Sequence, residues 1–211
     1  MQLQSDVLGF PIVHVGALDL WMSLLPITKV QFERFIAEEN SFGDSWYDEV
    51  LNISPRHSWR NIASDDRESL FVTAIFPPEA LAFAAWLGKD FDLPTREEWS
   101  RIYQLMQRTP LPIQLLQACT SHPVAKSIVD SILSQVEPSN MAQMSLLQDG
   151  IIEWVYQGQE FAGLGKPRAR FLSTVFNPEV DEPLRPPRNV RSRYFGFRLV
   201  RRATSLKGAK S

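Results

Sequence analysis

Two helix signals lie close together in the middle of the chain and restrict its fold. Pro77-Pro78 suits the start of a helix, and Gly88 suits the residue just past its end. Thr95 then suits the cap of another helix, because Glu98 stands three residues later as its partner in a capping box. The pattern predicts one helix that ends before Gly88 and a second over residues 96 to about 108.

Other segments carry similar signals. Thr28 and Gln31 form a capping box for a helix that should stop near Asn40. An amphipathic segment lies near residues 125–136. Apolar runs predict short strands within 10–25, at 151–156, at 171–176 and at 194–200. Strands at both ends with helices between them predict an α+β domain whose ends meet in one sheet.

The remaining stretches look irregular. Residues 41–70 form a long polar excursion that contains aromatic residues, and 109–150 are mostly polar outside the amphipathic segment. Long loops within compact domains are uncommon and tend to be functional. We interpret residues 1–202 as a single domain and 203–211 as a flexible basic tail.

The composition of the chain argues against several classes of function. The 211 residues carry a formal net charge of −2, so the whole molecule offers no electrostatic case for nucleic-acid binding, except through its basic C-terminal segment. Cys119 is the one cysteine, which excludes an intrachain disulfide. There is no signal-like start and no apolar run near the ~20 residues of a membrane span. We expect a cytoplasmic protein without a membrane partner.

Four segments, in this order, resemble the formylglycine-generating-enzyme family, also called the sulfatase-modifying-factor family. They are residues 26–35, 80–99, 150–155 and 196–200. Leu93-Pro94-Thr95 with Glu97-Glu98-Trp99 looks like the family's "LPTEaEWE", the third segment like "NvwEWv", and the fourth like the terminal "GFRlv". The resemblance implies a C-type-lectin-like α+β domain with little regular secondary structure and long loops.

The motif residues have structural interpretations. Large apolar side chains fill a core that contains little regular structure, and three tryptophans are assigned to this role: Trp86, Trp99 and Trp154. Gly196 is expected to allow a close backbone approach or a bulge in the last strand. Glu153 and Arg198 are interpreted either as a buried pair or as separate surface groups.

The catalytic groups of the family are missing from the positions that the resemblance indicates. Formylglycine formation uses two cysteines before the final strand, because thiolates supply the soft ligands for copper(I). Residues 168–194 correspond to that stretch and contain no cysteine. The family's sulfoxide synthases use three histidines on iron, but His14, His57 and His122 are widely separated. We expect no catalytic residues and lean towards a protein that is not an enzyme.

The resemblance also raises the question of a structural calcium ion. Gly150 occupies the position of the asparagine in "NvwEWv" and has no side-chain oxygen. Asp149 is a substitute, but a hard cation needs several convergent oxygens. No cofactor is expected, and a structural calcium ion stays open as an alternative.

The leading hypothesis is a non-catalytic module that binds a protein partner, by family analogy within a multi-component bacterial system. Aromatic and arginine residues favour recognition. The candidate binding residues are Trp46, Tyr47 and Trp59 in the excursion, and Arg185, Arg188, Arg191, Arg193 and Tyr194 in a basic loop. The simpler interpretation is that the tryptophans fill the core and the arginines are solvated. Joint replacement of Arg191 and Arg193 by alanine is expected to weaken binding without affecting folding.

Two other functions stay open. A divergent metal-dependent oxidoreductase of the same family would contain stoichiometric iron or copper. A diversified target-binding lectin-like protein would tolerate wholesale substitution at residues 189–194 with its scaffold intact.

Overall fold

The computed structural model of the chain describes residues 2–39, 46, 49–50, 70–147, 151–165, 181–186, 190–192 and 194–202. Several predictions from the sequence fall outside these residues. They concern the strand at 171–176, the tail at 203–211, and the residues Tyr47, His57, Trp59, Asp149, Gly150, Arg188 and Arg193.

The larger sheet joins the two ends of the chain. Its strands are β1 (Gln2–Ser5), β2 (Pro11–Val15), β3 (Leu20–Ser23), β4 (Phe91–Asp92) and β8 (Val200–Arg202). They run antiparallel in the order β1-β2-β3-β8-β4. In the register between β3 and β8, Leu20 pairs with Arg202 and Met22 with Val200. The prediction that the ends of the chain share one sheet is confirmed.

The smaller sheet contains β5 (Ile152–Gln157), β6 (Glu160–Leu164) and β7 (Phe195–Gly196) in the order β6-β5-β7. β5 and β6 form an antiparallel hairpin, and its turn uses Gly158 at a φ of 66°, where glycine is favoured. β7 runs parallel to β5. The single strand predicted over 194–200 is therefore wrong, because this segment passes from the smaller sheet to the larger one and its residues 197–199 belong to neither.

Three of the described helices, α1, α2 and α3, begin where the sequence predicts. The described helices are α1 (Lys29–Glu38), α2 (Pro77–Leu87), α3 (Arg96–Gln107), α4 (Ile113–Ala118), α5 (Pro123–Gln135) and α6 (Met141–Met144). Thr28 and Thr95 cap α1 and α3, and each shares a two-way hydrogen-bonded capping box with the residue three positions later. In the second box, Glu98 N–H donates to Thr95 Oγ1 at 3.1 Å and Thr95 N–H to Glu98 Oε2 at 2.8 Å. The mostly polar stretch 109–150 contains more helix than expected, since α4 and α6 both lie in it.

Two apolar clusters hold these layers together. One packs α3, α5 and the inner face of the larger sheet around Trp99. The other is aromatic: the ring of Phe83 lies 5.6 Å from those of Phe32 and Phe197. The α+β fold class is confirmed. No helix in the described ranges has both the length and the apolar surface that crossing a bilayer requires.

Candidate functional site

A buried ion pair connects the two sheets. Glu153 in β5 and Arg198 between β7 and β8 have side chains that are 1% and 0% exposed. Arg198 Nη2 donates to Glu153 Oε1 at 2.7 Å, and its Nε donates to Oε2 at 2.8 Å. Trp99 Nε1 donates to the same Oε2 at 2.9 Å. Such bidentate pairing satisfies both oxygens of the carboxylate.

The remaining donors of Arg198 bind backbone oxygens from other parts of the fold. Nη1 donates to the carbonyl oxygens of Ser23 at 3.1 Å and Leu24 at 2.7 Å, at the end of β3. Nη2 also donates to the carbonyl oxygen of Ser145 at 2.8 Å. One guanidinium therefore fixes the larger sheet, the smaller sheet and the segment after α6 relative to one another. The role of this pair is structural.

A groove of about 910 Å³ lies beside the start of α2 and the β5–β6 hairpin. Its lining is mostly aromatic, proline and aliphatic, and the residues that matter here are Phe76, Pro77, Trp154, Phe161, Pro186 and Val190. Glu160 and Arg185 also line it, and their exposed side chains lie 3.8 Å apart. This volume is in the range of ligand-binding clefts in proteins.

Arg191 fixes one wall of this groove. Its Nη1 and Nη2 atoms donate to Glu79 Oε2 and Oε1 at 2.8 and 2.6 Å, and Nη1 also donates to the carbonyl oxygen of Ala74 at 2.9 Å. Glu49 Oε1 lies 3.2 Å from its Nε. The guanidinium carbon lies 4.4 Å from the centre of the Phe76 ring. These contacts hold the segment at 190–192 against the start of α2.

The charge of Arg191 is maintained in this setting. Burial lowers the pKa of Arg191, but the hydrogen bonds and charge of Glu79, together with Glu49, outweigh burial and raise it above the ordinary value. The side chain is 6% exposed. Arg191 is therefore a clamp between two segments and offers little surface to a partner.

Comparison with known proteins gives a family for this fold. Residues 4–102 match the family model described as a sulfatase-modifying factor enzyme 1-like domain. Residues 4–102 therefore carry a domain of the sulfatase-modifying factor family. The matched residues contain the first two motifs, at 26–35 and 80–99. The other two sulfatase-modifying-factor motifs lie outside the match, and the structure joins them through Glu153 and Arg198. A search of curated proteins gives no match.

The side chains present do not fit the copper centre of the formylglycine-generating members. Residues 168–194 contain no cysteine, so the soft ligands for copper(I) are missing there. Cys119 lies after α4, where its Sγ donates to the carbonyl oxygen of Leu3 at 3.2 Å. Within the described ranges, no three His, Cys, Asp or Glu side chains converge in a way that would hold a metal ion.

The carboxylate of the "NvwEWv"-like strand does not fit a calcium ion either. Both oxygens of Glu153 already accept hydrogen bonds from Arg198 and Trp99. Its ionised form is thus balanced by a cationic guanidinium, which would repel a second cation. His14 and His122 serve separate elements: His14 packs on Trp21, and His122 Nδ1 accepts the Val124 N–H at the start of α5.

The predicted structural residues are all in the described ranges. Trp99 and Trp154 are buried, and Trp154 Nε1 donates to the carbonyl oxygen of Ile75 at 2.6 Å. Trp86 is half-buried, packs on Phe35 and Phe83, and donates to Glu38. A Cβ atom on Gly196 would overlap the carbonyl oxygen of Val72, so glycine allows a close backbone approach there.

The predicted binding residues differ in their exposure and in their position relative to the groove. Trp46 is half-buried against Phe32 and donates its Nε1–H to Glu79, which places it in the Arg191 clamp. Arg185 is exposed and lines the groove, whereas Tyr194 is half-buried. Arg191 is paired with Glu79, 112 positions earlier in the sequence, and its side chain is 6% exposed, so the structure gives it an internal contact that the sequence did not indicate.

Several groove residues belong to no motif in the sequence. Glu79 lies in the first turn of α2, where an acid is favourable in any case, so nothing local indicates its pairing with Arg191. Phe161 follows Gly158, which comes just after a predicted strand and is a recognisable hairpin turn. Val190 is 57% exposed and carried no motif.

Arg191→Ala is expected to lower the free energy of unfolding by about 1–3 kcal/mol, because Glu79 would lose a charged hydrogen-bond partner in a largely buried position. Urea denaturation measures this. Arg34→Ala is the matched control, since Arg34 forms an exposed pair with Glu38 in α1 and its loss should change stability much less. Equal stability of the two variants would contradict the clamp.

Proposed function

We propose that this chain is a non-catalytic binding module that recognises a protein partner through the groove beside α2. The apolar lining of that groove is the observation that carries the proposal. Phe76, Phe161 and Val190 present apolar surface on a rigid framework, and Arg191 holds two sides of that framework together. Apolar anchors in a preformed pocket are what protein interfaces favour at their centre.

The rim of the groove supports a protein rather than a small apolar molecule as the ligand. Glu160 and Arg185 are both exposed and carry opposite charges at 3.8 Å. A polar rim around an apolar centre is the usual anatomy of a protein interface. By family analogy we place the module in the cytoplasm of a bacterium as part of a multi-component system.

Site-specific crosslinking tests this proposal. A photoreactive amino acid placed at Val190 should give a discrete adduct with one protein in the source cells. The control is Val7, which is 76% exposed in the loop between β1 and β2, away from the groove residues in the sequence. An adduct that forms from Val190 and is absent from Val7 supports the groove. The same adducts from both positions, or none from Val190, would argue against it.

The oxidoreductase alternative makes a different prediction. Elemental analysis of the purified protein is expected to find iron and copper well below one atom per chain, because the copper ligands are replaced and Glu153 is already paired. Stoichiometric metal that survives dialysis would favour an enzyme and count against the binding module.

The diversified lectin-like alternative is disfavoured by one contact. It requires residues 189–194 to accept wholesale substitution, yet Arg191 in this segment makes three hydrogen bonds to Glu79 and Ala74. Most members of a library randomised at position 191 should therefore be less stable than the wild type.

A further inference from the structure

We infer that the groove receives an extended segment of the partner protein, which adds as a strand to the open edge of β6. This inference rests on the proposed function and specifies the chemistry of the partner. β6 is an outer strand of the smaller sheet, whose order is β6-β5-β7. Outer strands expose backbone donors and acceptors on one side, and these groups are templates for strand addition.

Within the part of the chain that the structure describes, the outer edge of β6 is paired only at Gly163. Gly163 N–H donates to the carbonyl oxygen of Leu184 at 2.8 Å, and Leu184 N–H donates back to Gly163 at 2.9 Å. This pair is an isolated antiparallel bridge. Because alternate residues of a strand direct their N–H and C=O to the same edge, those of Phe161 point to the edge that Leu184 occupies further along.

The pairing stops at Phe161 for a chemical reason. Continuing the antiparallel register would place Pro186 opposite Phe161, and proline has no N–H to donate. Among the residues that the structure describes, none forms a backbone hydrogen bond with Phe161 on this edge. Phe161 and Pro186 both line the groove, so this part of the edge borders it.

The groove defines what the added strand should look like. Its backbone needs one N–H and one C=O in the extended conformation to match those of Phe161. A side chain next to this position would meet the apolar surface of Phe161, Pro186 and Val190, so an aliphatic or aromatic residue fits. Glu160 and Arg185 at the rim favour flanking residues of both charge signs. The occupant is therefore an extended segment with an apolar residue between charged ones.

The test uses a displayed library of short linear random peptides, selected on the purified full-length chain. Selected peptides are synthesised, and their affinity is measured for three chains: wild type, Phe161→Ala and Phe161→Pro. Both variants lose the ring, but only proline also loses the outward N–H, and no hydrogen bond to β5 is lost. Affinity for Phe161→Pro should fall roughly tenfold below that for Phe161→Ala. Thermal denaturation confirms that both variants are folded.

Hydrogen exchange supplies a second measurement on the wild-type chain. Bound peptide should slow exchange of the Phe161 amide, whereas the Ala162 amide, whose residue pairs with Val155 in β5, should change little. Equal affinities for the alanine and proline variants, with no protection of Phe161, would overturn strand addition and leave binding in the groove intact. If Val190→Arg lowers the affinity of none of the selected peptides, the inference is overturned. The crosslinking at Val190 tests the proposed function independently.

A second copy of this chain is the competing occupant. If β6 pairs with β6 of another copy, the free protein should be a dimer that Phe161→Pro converts to a monomer. Size-exclusion chromatography with light scattering measures this, and such a result would overturn the assignment of the edge to a partner protein.

Discussion

Arg198→Ala should remove a large part of the stability of the folded chain. The substitution leaves the Glu153 carboxylate buried without its countercharge. It also removes the donors to the carbonyl oxygens of Ser23, Leu24 and Ser145. Removing one partner of a buried pair costs about 3–5 kcal/mol. The total stability of a domain is only about 5–15 kcal/mol. Circular dichroism with urea titration measures the loss.

Two further variants test the reason for this loss. Arg198→Lys keeps the charge but cannot form the bidentate contact with Glu153, so an intermediate loss is expected. The double variant Arg198→Met with Glu153→Leu removes both charges and should recover part of the stability, because no charge is then left unpaired. A loss below about 1 kcal/mol for Arg198→Ala would mean that the pair is not the link between the sheets.

Trp99→Ala is expected to lower the free energy of unfolding by about 3–5 kcal/mol. The side chain is fully buried in the cluster formed by α3, α5 and the larger sheet. Its ring stacks on Tyr103 at 6.0 Å, and its Nε1–H satisfies one oxygen of Glu153. The variant therefore loses apolar burial, leaves a cavity and weakens the buried ion pair. Denaturant titration followed by circular dichroism measures the change without relying on tryptophan fluorescence.

Trp99→Phe separates packing from hydrogen bonding. It keeps most of the apolar contact and loses the donor to Glu153, so a smaller loss of about 1–2 kcal/mol is expected. Because Trp99 and Arg198 share Glu153, the losses of the two alanine variants should not add in a double-mutant cycle. Strict additivity, or a near-zero effect of Trp99→Ala, would show that the ring does not belong to the core described above.

Local signals in the sequence were sufficient for α1, α2 and α3. The capping boxes at Thr28 and Thr95 involve residues three apart, so their chemistry is visible without knowledge of the fold. The last strand was mispredicted because the apolar pattern over 194–200 cannot show that the chain changes sheets. That change depends on pairing with β3 and β5, which are far away in the sequence.

The site was predicted less well than the fold, for the same reason. Glu153 and Arg198 were recognised as partners, but only three-dimensional contacts decide that they are buried. Arg191 has the composition of a solvated arginine loop, and nothing near it indicates Glu79, 112 positions earlier. The groove combines residues from α2, the β5–β6 hairpin and the segment at 185–190, so no local pattern describes it.

The position of β8 has a consequence for the way the protein is made. This strand lies inside the larger sheet, between β3 and β4, although among the described strands it is the last to be synthesised. A nascent chain cannot complete the sheet until these residues have left the ribosome. Until then, the edge of β3 that pairs with β8 stays exposed. Fragments that end before residue 198 are expected to bind chaperones and to be degraded, even when they contain every helix described above.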